Sequence, residues 1–482
     1  MKDLVIIGGG PGGYVAAIRA RQLGMTVTLV EKEAVGGTCL NHGCIPTKAY
    51  YRNAEIMRDL SHAEEFGISI AGLKFSMQQA RERKERIVKT LVSGVEKLLA
   101  DYGVEVIKGN ATLLDHNTVA VGQGDRSLVP LEQAGQGTCP LVPFKQKIKA
   151  AQILLATGST SASLPIPGLE LNGVVDSTSL LQINEMPSRL AIIGGGVIGL
   201  EFACIFNSFG SQVIVIEYLP SILNQLDREI GKRMGVFLKR QGITVHSSTA
   251  IEKVEQNGNE LLLTAKGKKG DLSIPADLVL VSAGRRPLTA GLNLETLGIA
   301  TDDHGFIKVD ENYATTVPGI YAIGDVIGGL MLAHVASEEG ITAVEKMAGL
   351  HGQVHYNAVP SCIFTFPEIA TVGMSEEECT SQEIKYRVGK FNFAANGKAL
   401  TLGETDGLVK VIADEDDVIR GVHIIGPHAS DLILEGTMLV KEGVKVSDFI
   451  GTIHAHPTLG EALMEAILDL NGQALHLSPR KR

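Results

Sequence analysis

The sequence predicts an α/β fold in which one strand–loop–helix unit occurs twice, followed by an α+β C-terminal domain. Three observations carry this expectation. The run Leu4-Val5-Ile6-Ile7-Gly8-Gly9-Gly10-Pro11-Gly12-Gly13 returns as Leu190-Ala191-Ile192-Ile193-Gly194-Gly195-Gly196-Val197-Ile198-Gly199, each a buried-type strand, a glycine loop and an apolar helical pattern. Each copy continues into a second strand, Thr26–Val30 and Gln212–Ile216, and each of these strands runs into an acid, Glu31 and Glu217. From about Tyr356 the pattern changes to alternating strands and then two helical runs, with no further glycine fingerprint.

Each glycine loop has a physical reading. In G-x-G-x-x-G the first glycine (Gly8, Gly194) permits the tight turn. The second (Gly10, Gly196) lets backbone approach a pyrophosphate, and the third (Gly13, Gly199) allows close helix–strand packing. The helix N-terminus offers free N–H groups and a positive dipole end to phosphates. Both acids stand eighteen residues past the last motif glycine, where a carboxylate can accept from ribose hydroxyls. Two Rossmann-like domains and two bound dinucleotides follow. At the second, Glu217 repels a 2′-phosphate and the next basic residue is Arg228, which favours NAD over NADP.

A chain of 482 residues suggests three or four domains, and 44% hydrophobic content gives each a sizeable core. A net charge of −10 argues against nucleic acid or an anionic membrane as partner. No apolar stretch reaches the roughly 20 residues of a membrane span, and the first strand leads straight into a glycine loop without a signal segment. Six cysteines are no secreted disulfide framework, so a cytoplasmic setting is expected. Ile153–Ser159 and Leu278–Pro287 read as strands ending at glycine, and Gly319–Asp325 as a strand delivering an acid, with a helix from about Ala333. Between Val121 and Lys149 the pattern dissolves into an irregular excursion, and Arg480-Lys481-Arg482 reads as a solvated end.

The stretch Gly36-Gly37-Thr38-Cys39-Leu40-Asn41-His42-Gly43-Cys44-Ile45-Pro46-Thr47-Lys48 holds two cysteines five residues apart. Metal binding, inert thiols and a redox disulfide are the alternatives. No cysteine spacing supplies a second ligand pair, so no metal is expected, and Cys139, Cys204, Cys362 and Cys379 take no assigned role. A helix starting near Cys44 would favour a thiolate, the reactive form. In His454-Ala455-His456-Pro457-Thr458-Leu459-Gly460-Glu461, a glutamate five residues after His456 can fix its tautomer and make it a general base. Pro457 is expected to start a helix there, and His454 is expected only to pack.

Taken with Gly324-Asp325, Phe393–Ala399 and Gly421–Asp431, these motifs resemble, in order along the whole chain, the class I pyridine nucleotide–disulfide oxidoreductases. The likeness is strongest to the dihydrolipoamide-oxidising members. It implies FAD at the first fingerprint and NAD at the second. Asp325 would meet the flavin's ribityl or phosphate region, and Lys48 would sit by the flavin and pair with Glu201. Ala111, Thr157, Gly158 and Ala333 would also touch FAD, and Ile251 and Gly284 would line the NAD site. The implied domains are 1–158 for FAD (with the 121–149 excursion), 159–283 for NAD, 284–353 completing the FAD site, and 354–482 for dimerisation. A homodimer is implied in which His456 and Glu461 serve the other subunit's Cys39–Cys44 disulfide. The partner would be a lipoyl-bearing protein of a 2-oxo acid dehydrogenase or glycine cleavage complex. Alternatives are an NADH-dependent reductase of another disulfide and a non-catalytic NAD-responsive flavoprotein. His42 stands where an aliphatic residue is common.

Overall fold

The computed structural model describes residues 1–122, 144–268 and 270–478; Cys139 and the terminal Arg480-Lys481-Arg482 lie outside them. The chain divides into two compact units. One comprises Met1–Ala49, Gln79–Ser163 and Gly284–Val354; the other comprises Tyr50–Gln78, Leu164–Ala283 and His355–Arg482.

The first unit is built on a seven-stranded sheet in the order Glu105–Lys108, Val27–Glu31, Lys2–Ile7, Phe144–Leu155, Thr118–Gly122, Asn110–Asp115, with Ile320–Ala322 also paired to Phe144–Leu155. Both faces are covered, which is why the first strand reads as an unbroken apolar run. Leu4 and Ile6 enter one core cluster with Leu29 and Leu154, while Val5 and Ile7 enter the other with Val30, Ile153 and Leu155. The helices Pro11–Gln22 and Ala333–Met347 cross closely: a Cβ on Gly340 would lie 2.6 Å from the Gly12 carbonyl oxygen.

The irregular excursion expected over 121–149 is narrower than the sequence suggests. Thr118–Gly122 is a strand, and Phe144–Leu155 pairs antiparallel with it before turning parallel to Lys2–Ile7. Its polar look has a simple cause: Lys147 and Lys149 face solvent on either side of buried Ile148. Residues 123–143 lie outside the described residues.

The second unit holds the repeat. A parallel five-stranded sheet runs Thr244–His246, Gln212–Ile216, Arg189–Ile193, Leu278–Val281, Val174–Val175, beside an antiparallel three-stranded sheet over 250–276. Its C-terminal part is an antiparallel sheet in the order Ser361–Ile363, Glu368–Gly373, Ile419–Gly426, Leu408–Asp414, Tyr386–Asn392, packed against the helices Ala429–Lys441 and Glu461–Asp469. Buried Lys410 sits among carboxylates, 2.7 Å from Asp227 and 3.5 Å from Glu229, with Glu376 as a third partner. Burial alone would lower its ammonium, but Asp227 and Glu376 outweigh that and hold it above its ordinary value. Among the described residues no helix is long and apolar enough to cross a membrane.

Candidate active site

Both glycine loops have the same geometry. Gly8 and Gly194 have φ of +104° and +112°, and a Cβ would lie 2.3 Å from the Ala156 carbonyl oxygen and 2.6 Å from that of Ser282. A Cβ on Gly13 would lie 1.9 Å from the Gly8 oxygen, and one on Gly199 would lie 2.1 Å from the Gly194 oxygen, so neither helix could approach its strand with any side chain there. Gly10 and Gly196 behave differently. A Cβ would meet only the Gly37 Cα at 3.9 Å in the first case and nothing within 4 Å in the second. These two residues are N-caps without a side-chain cap, opening the helices Pro11–Gln22 and Val197–Phe209, and neither helix has an acid in its first turn. Each is an open, positive helix end suited to a pyrophosphate.

The two acids are held alike. Glu31, the last residue of Val27–Glu31, accepts from the Gly9 and Glu33 amides at 2.7 Å each. Glu217, just past Gln212–Ile216, accepts from the Gly195 and Leu219 amides at 2.6 Å each. Two backbone amides fix each carboxylate beside its glycine loop, leaving lone pairs for hydroxyl donors.

The remaining first-fingerprint residues cluster in the first unit. Ala111 follows Gly109, whose amide donates to the Glu31 carbonyl. Gly158 has φ of +72° with open space where a Cβ would be. The Thr157 hydroxyl is buried without a hydrogen-bond partner among the described residues. An orphaned hydroxyl at the end of a sheet strand, near an open phosphate-type loop, fits a site completed by a polar ligand. Asp325 accepts from Ser159 Oγ at 2.5 Å, and Arg285 donates to that same hydroxyl at 2.6 Å and to the Ser159 carbonyl at 2.8 Å. This clasp of Ser159 and Arg285 around Asp325 was not expected, because the sequence shows Gly284-Arg285-Arg286-Pro287 only as a strand end. Ala333 opens its helix.

In the second unit, Ile251 is the second residue of the strand Ala250–Asn257, which follows Thr249, whose amide donates to the Glu217 carbonyl. Glu201 is buried in the Val197–Phe209 helix and accepts from the Phe364 amide at 3.0 Å. Gly284 belongs to the first unit, as does Lys48, while Glu201 belongs to the second.

The cysteine stretch forms a short helix and the start of a long one. Gly37–His42 carries Cys39, and Cys44 opens Cys44–Ser61 at the place expected. Gly43 makes the junction, since a Cβ there would lie 2.9 Å from the Thr38 carbonyl oxygen. Both cysteines are thiols, Cys39 half-buried and Cys44 exposed. The helix-end argument concerns Cys44 alone, and Cys39 is governed by other contacts. A hydrogen bond with Cys44, then burial, then the charge of Cys44 push the Cys39 thiol well up, against the opposing pull of Lys48. The two sulfurs are therefore in contact, and the shared proton stays on Cys39. His42 ends the first helix, its Nε2 3.6 Å from Glu33 and its Nδ1 buried without a partner among the described residues.

His456 lies in the second unit with its Nδ1 2.9 Å from Glu461 Oε1, while Glu461 Oε2 accepts from the Thr458 amide at 2.9 Å. Burial alone would raise the Glu461 carboxyl, but the Thr458 amide and His456 hold it below its ordinary range. An ionised carboxylate can only accept, so Nδ1 carries the proton and Nε2 is left as the base. Pro457 does not start the helix as expected. It follows His456 through a cis peptide bond, and the helix begins at Glu461, so that the carboxylate turns back onto the imidazole from its first turn. His454 packs, as expected, bridging Thr452 and Glu435 at 3.1 Å each beside the Phe449 ring.

Comparison with known proteins agrees with this geometry. A family model described as pyridine nucleotide-disulphide oxidoreductase matches residues 2–340, and the dimerisation domain of that family matches residues 359–467. Dihydrolipoamide dehydrogenase of Chaetomium thermophilum is 40% identical, covering 98% of this chain and 92% of its own. Dihydrolipoyl dehydrogenase of Bacillus subtilis is 41% identical, covering 98% and 99%. Among solved structures, LpdA of Mycobacterium tuberculosis superposes with a TM-score of 0.87 at 25% identity over 97% of this chain and 99% of that one. Family matches that together run from residue 2 to residue 467, with relatives aligned nearly end to end, leave one assignment: the chain belongs to the pyridine nucleotide-disulphide oxidoreductases.

Proposed function

We propose that the protein is a dihydrolipoyl dehydrogenase, oxidising protein-bound dihydrolipoamide to lipoamide and reducing NAD⁺. The observation that carries this reading is the Cys39–Cys44 couple in sulfur contact, on a chain that also holds a carboxylate-backed imidazole and two fingerprints. Its cofactors are FAD and NAD. FAD, when bound, supplies the two-electron connection between the cysteine pair and the nicotinamide.

His456 Nε2 takes the proton of one substrate thiol. The resulting thiolate attacks the Cys39 sulfur, breaking the Cys39–Cys44 bond and freeing Cys44 as thiolate at its helix N-terminus. The second substrate thiol closes onto the first substrate sulfur and releases Cys39, its proton passing to the leaving Cys39 sulfur while His456 keeps the first. Two electrons have then entered the cysteine pair and lipoamide has left. Gly8, Gly10, Gly13, Glu31, Ala111, Thr157, Gly158, Asp325 and Ala333 would hold FAD, with Lys48 beside it; Gly194, Gly196, Gly199, Glu217, Ile251 and Gly284 would hold NAD, and Glu201 would pair with Lys48. Segments 1–158 and 284–353 would form the FAD site, 159–283 the NAD domain and 354–482 the homodimer interface, where each subunit lends His456 and Glu461 to its twin. The lipoyl group would arrive on a separate protein of a 2-oxo acid dehydrogenase or glycine cleavage complex. The absence of a secreted cysteine framework supports a cytoplasmic setting.

A steady-state comparison of dihydrolipoamide, glutathione disulfide and Hg²⁺ with each nicotinamide cofactor tests the assignment. Dihydrolipoamide with NAD⁺ should dominate in kcat/KM, and a preference for either other substrate would overturn it. The cofactor preference has its own check at Glu217. Like-charge juxtaposition costs several kcal/mol, and about 1.4 kcal/mol is tenfold, so Glu217→Arg should raise the NADP⁺/NAD⁺ ratio of kcat/KM by at least about tenfold. The same change removes the acceptor of the Gly195 and Leu219 amides, so both rates fall and the ratio is the informative quantity. An unmoved ratio would place discrimination elsewhere.

A further inference from the structure

The helix Glu461–Asp469 carries a second imidazole–carboxylate pair one turn beyond the first. Glu461 and Glu465 are four residues apart and share a face, about 6 Å along the axis. Glu465 Oε1 lies 2.7 Å from His476 Nδ1, and its Oε2 accepts from the amides of Leu475 at 2.9 Å and His476 at 3.2 Å. The Glu465 side chain is 2% exposed and that of His476 is 69% exposed, close to the 77% of His456. As at His456, the carboxylate accepts from Nδ1–H and leaves Nε2 as acceptor. When protonated, His476 adds to the Thr458 amide and His456 in holding the Glu461 carboxyl down against burial. The amides of Leu475 and His476 already tie this backbone to Glu465, so the ring's Nε2 is left for another partner.

We propose that His476 is the second station for the proton that His456 collects. The inference rests on the function proposed above. Oxidation of a dithiol by NAD⁺ gives a disulfide, NADH and one proton, so one proton must leave the base in each turnover. With His456 lent to the other subunit's cysteine pair, that proton departs from within a cleft. Protonated His456 returns to neutral imidazole as His476 Nε2 takes the proton, directly or through water, and His476 then gives it to solvent. No electron moves in this step. His476 touches no reacting atom; held by Glu465, it offers the base an acceptor.

The test uses the full-length FAD-loaded dimer and His476→Asn, whose amide can still donate to Glu465 and whose backbone can still dock. Dihydrolipoamide and NAD⁺ are mixed in dilute buffer with a pH-indicator dye, and NADH absorbance and proton release are followed together. The variant should form NADH several-fold more slowly than wild type in dilute buffer and recover on addition of imidazole. Its NADH-dependent reduction of ferricyanide, which bypasses the thiols, should be unchanged. Equal rates of variant and wild type in dilute buffer overturn the proposal. So does a slowing that imidazole does not relieve, since that is the mark of a docking defect. A wild type inactive with dihydrolipoamide sinks the functional reading and this inference with it, whereas an active wild type matched by the variant sinks this inference alone.

Discussion

Cys44→Ser should keep its yellow flavin and its fold while losing dihydrolipoamide-dependent NAD⁺ reduction by about 10³-fold or more, the scale on which removing a covalent nucleophile acts. Serine replaces one atom, at an exposed position that opens a helix, where a hydroxyl is well tolerated. Neither glycine loop nor the Thr157–Asp325 region depends on that sulfur. What is lost is the thiol that Cys39 bonds to, and a lone thiol can form a mixed disulfide with substrate but cannot store two electrons. Absorbance spectra before and after dihydrolipoamide, together with steady-state rates, check both halves of the expectation. Turnover near the wild-type rate with bound flavin would remove the disulfide from the mechanism, and loss of flavin from the variant would mean that Cys44 builds the cofactor site.

The parts of the fold that could be read in advance are those where sterics leave one residue type. At Gly8 and Gly13, and again at Gly194 and Gly199, any Cβ would collide with a backbone oxygen. Position and spacing alone therefore betray the turn, the helix and the acid that follows. The Cys44 helix was readable from Pro46 and the run Lys48-Ala49-Tyr50-Tyr51 that follows it.

What could not be read depends on distant partners. Lys410 lies in the fully buried strand Leu408–Asp414, and nothing in Leu-Val-Lys-Val shows that Asp227, 183 residues earlier, waits to neutralise it. Ser159 and Arg285 close on Asp325 from separate segments in the same way. His476 carries no motif, being twenty residues past His456 and tied to it only by two glutamates on one helix face. The raised Cys39 thiol could not be read locally either, because it comes from a hydrogen bond with Cys44 and from burial. Pro457 misled through its usual place at helix starts, which here falls four residues too early.

The largest effect outside the cysteines should come from His456→Gln, which leaves an amide of similar reach but no base. General acid–base groups contribute about 10²–10⁴-fold, and here the imidazole takes the proton of the attacking substrate thiol, so kcat with dihydrolipoamide should fall by at least about 10²-fold. Ferricyanide reduction by NADH should persist, because neither fingerprint includes His456. Glu461→Gln should cost less. It keeps an acceptor for Nδ1 but surrenders the ionised carboxylate that the Thr458 amide and His456 hold down, so the imidazole is oriented without being charge-stabilised. Mixed dimers make the decisive comparison. A heterodimer of one Cys44→Ser chain and one His456→Gln chain pairs each intact histidine or cysteine couple in only one of two sites. If the base crosses between subunits, one site carries both lesions and the other none, and about half the wild-type rate survives. If base and cysteines act within one chain, each site carries one lesion and the heterodimer is as inactive as its parents, which would end the shared-site arrangement proposed here.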